Sequence, residues 1–152
     1  MAEVRTAQDE AVSELTAARV SLQDVLREFE TRPNGHDGQS PHVRSLLDLI
    51  HAAPFDSRLS AKTLKAQCGA SDHNVSSHFK FEIGESIMGY VTALRIEVAA
   101  TCLRRTNSPV AEVALIVGFA NLQRFYAAFK ITYGTTPGAY ARAHRTTAGD
   151  SR

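Results

Sequence analysis

The chain has 152 residues, 43% of them apolar, and a formal charge of +1, enough for one ordinary domain or a compact domain with an extension. No apolar run approaches the ~18 residues of a membrane span, and the start, MAEVRTAQDE, has neither the basic nor the apolar stretch of a signal peptide. Two cysteines, Cys68 and Cys102, without CxxC spacing exclude a disulfide framework or a zinc ribbon, so the expectation is a soluble cytoplasmic chain with two buried, reduced thiols.

From Ala7 to Glu30 there is no glycine or proline, and Ala11, Leu15, Ala18, Leu22, Val25 and Phe29 follow an alternating four-three step. That heptad seam predicts one long amphipathic helix in residues 1–31. Such a helix is marginal alone in water, so its stripe needs a partner. The partner is either the same helix of a second chain, which the reading slightly favours, or the flank of its own core. Residues 32–42 gather prolines and glycines among polar residues and read as a flexible linker.

Residues 43–145 read as all-helical, with no sustained strand-period alternation. Leu46, Leu47, Leu49 and Ile50 mark a first helix ending before Pro54. Ser60 is a candidate N-cap for a helix that carries Leu64 and stops near Gly69, and Ser71 caps the next, with Val75 and Phe79 on its inner face. A long helix over 86–104 follows. Pro109 suits the start of a helix ending at Gly118, Asn121 caps one with Phe125 and Phe129 inside, and Pro137 opens the last. Residues 146–152 read as a disordered tail.

Within this segment the chain repeats itself. Residues 79–90, FKFEIGESIMGY, and 129–140, FKITYGTTPGAY, align fifty positions apart. Phe79/Phe129, Lys80/Lys130, Gly84/Gly134, Ser86/Thr136 and Tyr90/Tyr140 match, and Gly69 and Gly118 precede them. A repeat defines the architectural unit, here a short helix, a glycine turn and a second helix. Charge follows the same division. Residues 1–40 carry four Lys/Arg against eight Asp/Glu, whereas residues 41–145 carry twelve against seven. An acidic extension therefore precedes a basic repeat, the balance expected if only the repeat meets nucleic acid.

The two copies, with Val113-Ala114, Val117-Gly118-Phe119 and Thr136-Pro137 in the second and Leu94-Arg95-Ile96 and Ala99 between them, resemble the DNA-binding region of the AraC/XylS family of bacterial transcription regulators. The resemblance covers about residues 43–145. It implies an all-α fold of two helix-turn-helix subdomains joined by a long connecting helix. It also implies that the outer face of each second helix meets base edges. Helical phase turns Val75, Phe79, Phe125 and Phe129 inward. The residues nominated for DNA are therefore His73, Asn74, Ser76 and Ser77 in the first unit and Gln123, Arg124, Tyr126 and Ala127 in the second. Arg124 suits guanine and Gln123 adenine, while the serines, His73 and Asn74 are adaptable. Lys80 and Lys130 are candidates for phosphate contacts, or for offsetting the negative ends of their helices. Where the family often has a long polar residue this chain has Ala127, and Leu122 puts an apolar side chain near the groove. Base discrimination by the second unit is thus expected to be weak and limited to thymine-methyl contacts.

The implied function is a sequence-specific transcription regulator, an activator by the family's commoner mode, with double-stranded DNA and RNA polymerase as partners and a homodimer as an option. A rival reading is an interaction module that captures a partner through the N-terminal helix without productive DNA binding. A third, the DNA-docking part of a methyl-transfer repair protein, needs an exposed reactive cysteine. No catalytic grouping, phosphate-cradling loop or cofactor motif appears, and His73 and His78 do not share a helix face for a metal. A β-rich sensor domain has no room before residue 43, so direct effector sensing is not expected.

Overall fold

Hydroxyl and amide side chains start the helices where the sequence places them. Ser60 Oγ accepts from the Thr63 amide at 3.1 Å, Ser86 Oγ from Gly89 at 3.0 Å, Asn121 Oδ1 from Arg124 at 3.1 Å and Thr136 Oγ1 from Ala139 at 3.3 Å. Each satisfies an amide that a first helical turn leaves without a partner. The computed structural model describes residues 21–32, 37–69 and 74–145, and among these the chain forms eight helices and no strand. They are α1 (Leu22–Glu30), α2 (Pro41–Ala52), α3 (Ala61–Gln67), α4 (Val75–Ile83), α5 (Ile87–Arg105), α6 (Val110–Ile116), α7 (Leu122–Tyr133) and α8 (Pro137–His144).

The repeat extends to the helix ends. α4 and α7 stop at Gly84 and Gly134, which take left-handed φ angles of 92° and 72° and donate to the carbonyls of Lys80 and Lys130 at 2.8 Å. Ser86 and Thr136 then cap α5 and α8. Phe79 meets Tyr90 edge-on with ring centroids 5.9 Å apart, and Phe129 meets Tyr140 edge-on at 5.3 Å. One departure concerns the start of α4. Its described part begins at Val75, with Asn74 at the cap position and no side-chain cap bond. Ser71, the expected cap, lies outside the described residues.

Two apolar cores form, one per unit. Val43, Leu46, Leu47 and Ile50 of α2, Leu64 of α3 and Val75 and Phe79 of α4 close the first against Ile87 and Val91 of α5. Val113 and Ala114 of α6, Phe125 and Phe129 of α7 and Tyr140 and Ala141 of α8 close the second against residues 96–103 of α5. α5 is therefore a rod of about 28 Å, at 1.5 Å per residue, whose two ends belong to different cores. No single helix among the described residues is long and apolar enough to cross a membrane.

The N-terminal seam behaves differently from its expected form. Ser21 is extended (φ −80°, ψ 157°) and forms a capping box with Asp24, accepting from the Asp24 amide at 3.1 Å while its own amide donates to Asp24 Oδ2 at 3.2 Å. A single helix running unbroken from Ala7 to Glu30 is thus not formed, because the backbone is extended at Ser21 and α1 starts at Leu22. Ala11, Leu15 and Ala18 lie outside the described residues. Leu22, Val25 and Leu26 are buried in the second core, against α5. Arg105 clamps Glu28 with two bonds of 2.6 and 3.0 Å, and Arg32 lies over the Phe29 ring at 4.4 Å. At the far end of the linker, the Ser40 amide donates to Glu82 Oε2 at 3.0 Å.

The described stripe of this helix is thus spent within the chain, which turns the balance against its slightly favoured use in a dimer. A chain begun at Ser40 is expected to melt at lower temperature than the full chain, because the second core loses three buried apolar side chains. Both are expected to sediment as monomers at tens of micromolar. Equal melting of the two, or a dimer formed by the full chain alone, would contradict cis packing.

Candidate nucleic-acid interface

The inward register of α4 and α7 decides what they turn outward. Val75, Phe79, Phe125 and Phe129 are all buried, so one flank of each helix is committed to its core. On α4 the opposite side carries Asn74, Ser77 and Lys80, all exposed, with Ser76 half-buried. On α7 the equivalent side carries Gln123, Arg124, Tyr126, Ala127 and Lys130, all exposed. The structure therefore groups nine of the ten nominated residues into two equivalent patches, one per unit. The tenth, His73, lies outside the described residues.

The patches differ in chemistry. In the first, Ser76, Ser77 and Lys80 line a shallow depression of about 300 Å³ together with Ala61, Ser86, Ile87 and Met88. Its serine donors are short and adaptable, Lys80 adds a long cationic one, and the N-terminal end of α5 lies beside them. In the second, Arg124 sits in the first turn of α7, its amide used by the Asn121 cap and its side chain exposed. Tyr126 packs edge-on against Phe125 at 6.1 Å between ring centroids and is 39% exposed. This partly covered ring stands beside the exposed Gln123 and Arg124. Leu122 is exposed at the start of the same helix.

Two residues of this face had not been singled out. Phe81 and Ile131, fifty positions apart in the repeat, are 90% and 86% exposed. Each lies one helical turn beyond Ser77 or Ala127 on the same face. An apolar residue following the Phe-Lys pair in both copies was the available signal. It was masked because apolar residues next to a core phenylalanine read as core.

Arg95, which enters the sequence reading only through the family resemblance, is a third. It is 6% exposed and donates to three backbone carbonyls. The sequence signal was its place in the four-three step Val91, Arg95, Val98, Cys102, which sets a charge on the buried stripe of α5. Burial pulls its guanidinium below the ordinary arginine value, opposed by the charge of Asp56.

Of the two thiols, Cys102 is fully buried and its pKa is pushed up to about 11 by that burial. Such a thiol is almost wholly protonated at neutral pH and is no nucleophile. Cys68, expected to be buried, is half-buried, its Sγ donating to the Lys65 carbonyl at 3.2 Å. The buried Cys102 is closed to the exposed, reactive role that methyl transfer needs.

Comparisons with known proteins agree with this geometry. The Helix-turn-helix domain family matches residues 64–143. An AraC-like transcription regulator of Streptomyces antibioticus is 32% identical over 131 residues, covering 82% of this chain and 43% of the relative. The xylose operon regulatory protein of Escherichia coli K12 is 33% identical over 109 residues, covering 67% of this chain and 28% of the relative. This chain thus spans less than half the length of either relative. Among solved structures, the C-terminal domain of AraT, a response regulator from Geobacillus stearothermophilus, superposes with a TM-score of 0.68 at 30% identity. That match covers 74% of this chain and 94% of the other. A repeated helix-turn-helix, a shared connecting helix and matches of this extent establish that the chain belongs to the AraC/XylS family of transcription regulators.

Proposed function

We propose that this chain is a sequence-specific DNA reader of a transcription regulator, laying α4 and α7 into successive major grooves on one side of a duplex. The observation that carries this reading is the pair of equivalent exposed faces held by one continuous helix. α5 spans about 28 Å, close to the ~34 Å that separates successive major-groove faces of a duplex. Ser76, Ser77, Gln123, Arg124 and Tyr126 supply base contacts, and Lys80 and Lys130 hold phosphates. Phe81 and Ile131 give each unit an apolar tip suited to thymine methyl groups. The basic charge of residues 41–145 draws the two faces toward DNA, while the acidic Glu28 is neutralised by Arg105.

Capture of a partner protein through the N-terminal helix is the weaker reading, because Leu22, Val25 and Leu26 are already covered by α5. RNA polymerase as a partner, and activation as the mode, follow from the family resemblance alone.

Selection of binding sites from random duplex DNA tests the proposal, with an asymmetric, two-part site as the expected result. Binding to that site should fall linearly on a log–log plot against salt, with a slope of about −0.9 for each phosphate contacted. Recovery of no preferred sequence would rule out a specific reader.

A further inference from the structure

The point where α5 passes from one core to the other is held by a single side chain. Val91 belongs to the first core and Ile96 to the second, and Arg95 stands between them. Its Nε donates to the Pro54 carbonyl at 2.9 Å and its Nη2 to the Asp56 carbonyl at 2.7 Å. Both carbonyls lie in the turn after α2, in the first unit. Its Nη1 donates to the Gly118 carbonyl at 3.3 Å, in the turn between α6 and α7 of the second unit. One residue of the rod thus grips the loops of both units.

The two loops also touch each other. Gly118 has a φ of 103°, and a Cβ there would fall 2.8 Å from the Phe55 carbonyl oxygen and 2.9 Å from Arg95 Cζ and Nε. Only glycine lets these backbones and the guanidinium meet this closely. Phe55, from the first unit's loop, packs its ring against the second unit's core.

A buried guanidinium is costly to desolvate, and here it is satisfied by carbonyls rather than by a carboxylate. The planar fork of arginine has five donors and can serve three acceptors converging from separate segments. A lysine ammonium, a point charge on a flexible stem, cannot reproduce that fork. An apolar residue would bury more readily at this place in the stripe, so stability alone does not explain the choice.

We propose that Arg95, with Gly118 and Phe55, is a positioning clasp that sets the angle between α4 and α7 and so dictates the spacing of the two half-elements this protein reads. This rests on the DNA-reading function above. One added base pair rotates the second half-element by about a tenth of a turn. A pair of readers locked in phase therefore binds well at one spacing, while a loose pair accepts several and binds each less tightly, because the effective concentration of the second reader is diluted.

Two measurements on the full chain decide it. In the first, spin labels placed by Lys62→Cys and Glu112→Cys, in a Cys68→Ala background, report the distance between the units. Cys102 takes no label, being buried with its thiol pKa near 11. The wild-type distribution should be narrow, and Arg95→Lys should broaden it. In the second, the unlabelled proteins are titrated with the selected site and with versions lengthened or shortened between the halves. The wild type should show one sharp spacing optimum. Arg95→Lys should lose about tenfold or more at that optimum and flatten the series, while binding to a single half-element stays within about twofold. Phe55→Ala, which leaves the buried charge in place, should act in the same direction and serves if Arg95→Lys does not fold. A narrow distribution and an unchanged spacing optimum in the folded variants would overturn the clasp. If the wild type selects no duplex, the DNA reading falls, and the distance distributions alone uphold or overturn the clasp.

Discussion

Phe129→Ala is expected to cost about 3–5 kcal/mol of stability, through lost burial and the cavity left behind. Phe129 is fully buried, with ring centroids 4.9 Å from Tyr133, 5.3 Å from Tyr140 and 5.9 Å from Phe125. Three helical turns and a cap place these rings, so none can move in to fill the space without breaking its own contacts. Urea denaturation should show a lower midpoint at an unchanged slope. Phe79→Ala should cost a similar amount but act on the other core, since the two apolar clusters are separate. Hydrogen exchange should then find the amides of α2 and α4 opening before those of α7 in Phe79→Ala, and the reverse order in Phe129→Ala. A wild-type midpoint for Phe129→Ala would refute the inward phase of α7, and its outer face with it.

The second large effect is on binding. Arg124→Ala should weaken the selected site by about 1–3 kcal/mol and relax the requirement at one base position. The guanidinium stands on the first turn of α7, where the Asn121 cap fixes the backbone at 3.1 Å and the side chain is exposed. Stability should change by no more than about 0.5 kcal/mol, as for other surface substitutions. Lys130→Ala is the contrasting variant: a lost phosphate contact weakens all sequences alike and reduces the salt slope by about one. Full retention of affinity and specificity in Arg124→Ala would mean that the second unit reads DNA without this residue.

Much of the framework was legible because it is local. Ser60 and Asn121 announce helix starts through bonds to amides three residues on, and Gly69 and Gly118 announce stops through left-handed backbone conformations that other residues resist. The repeat doubled every such signal, so the register of Phe79 and Phe129 supported the outward placement of Ser77 and Ala127. Where a local signal was ambiguous, the reading failed. The seam before Glu30 satisfied a heptad, but Ser21 with Asp24 is also a capping box, and it is the cap that the described chain adopts. Phe81 and Ile131 are apolar and adjacent to core positions, yet helical phase turns them outward.

By itself, then, the sequence determined the all-α class, the two helix-turn-helix units, their buried phenylalanines and the helix faces left outward, since caps and periodicity act over a few residues and the repeat states each of them twice. Only the tertiary structure decided that α1 joins the second core and that Arg95 ties the two units together. Both depend on partners far along the chain: Leu22, Val25 and Leu26 meet α5, and Arg95 meets carbonyls 41, 39 and 23 residues away. Backbone carbonyls look alike in every sequence, so no residue pattern marks which three will converge on a guanidinium.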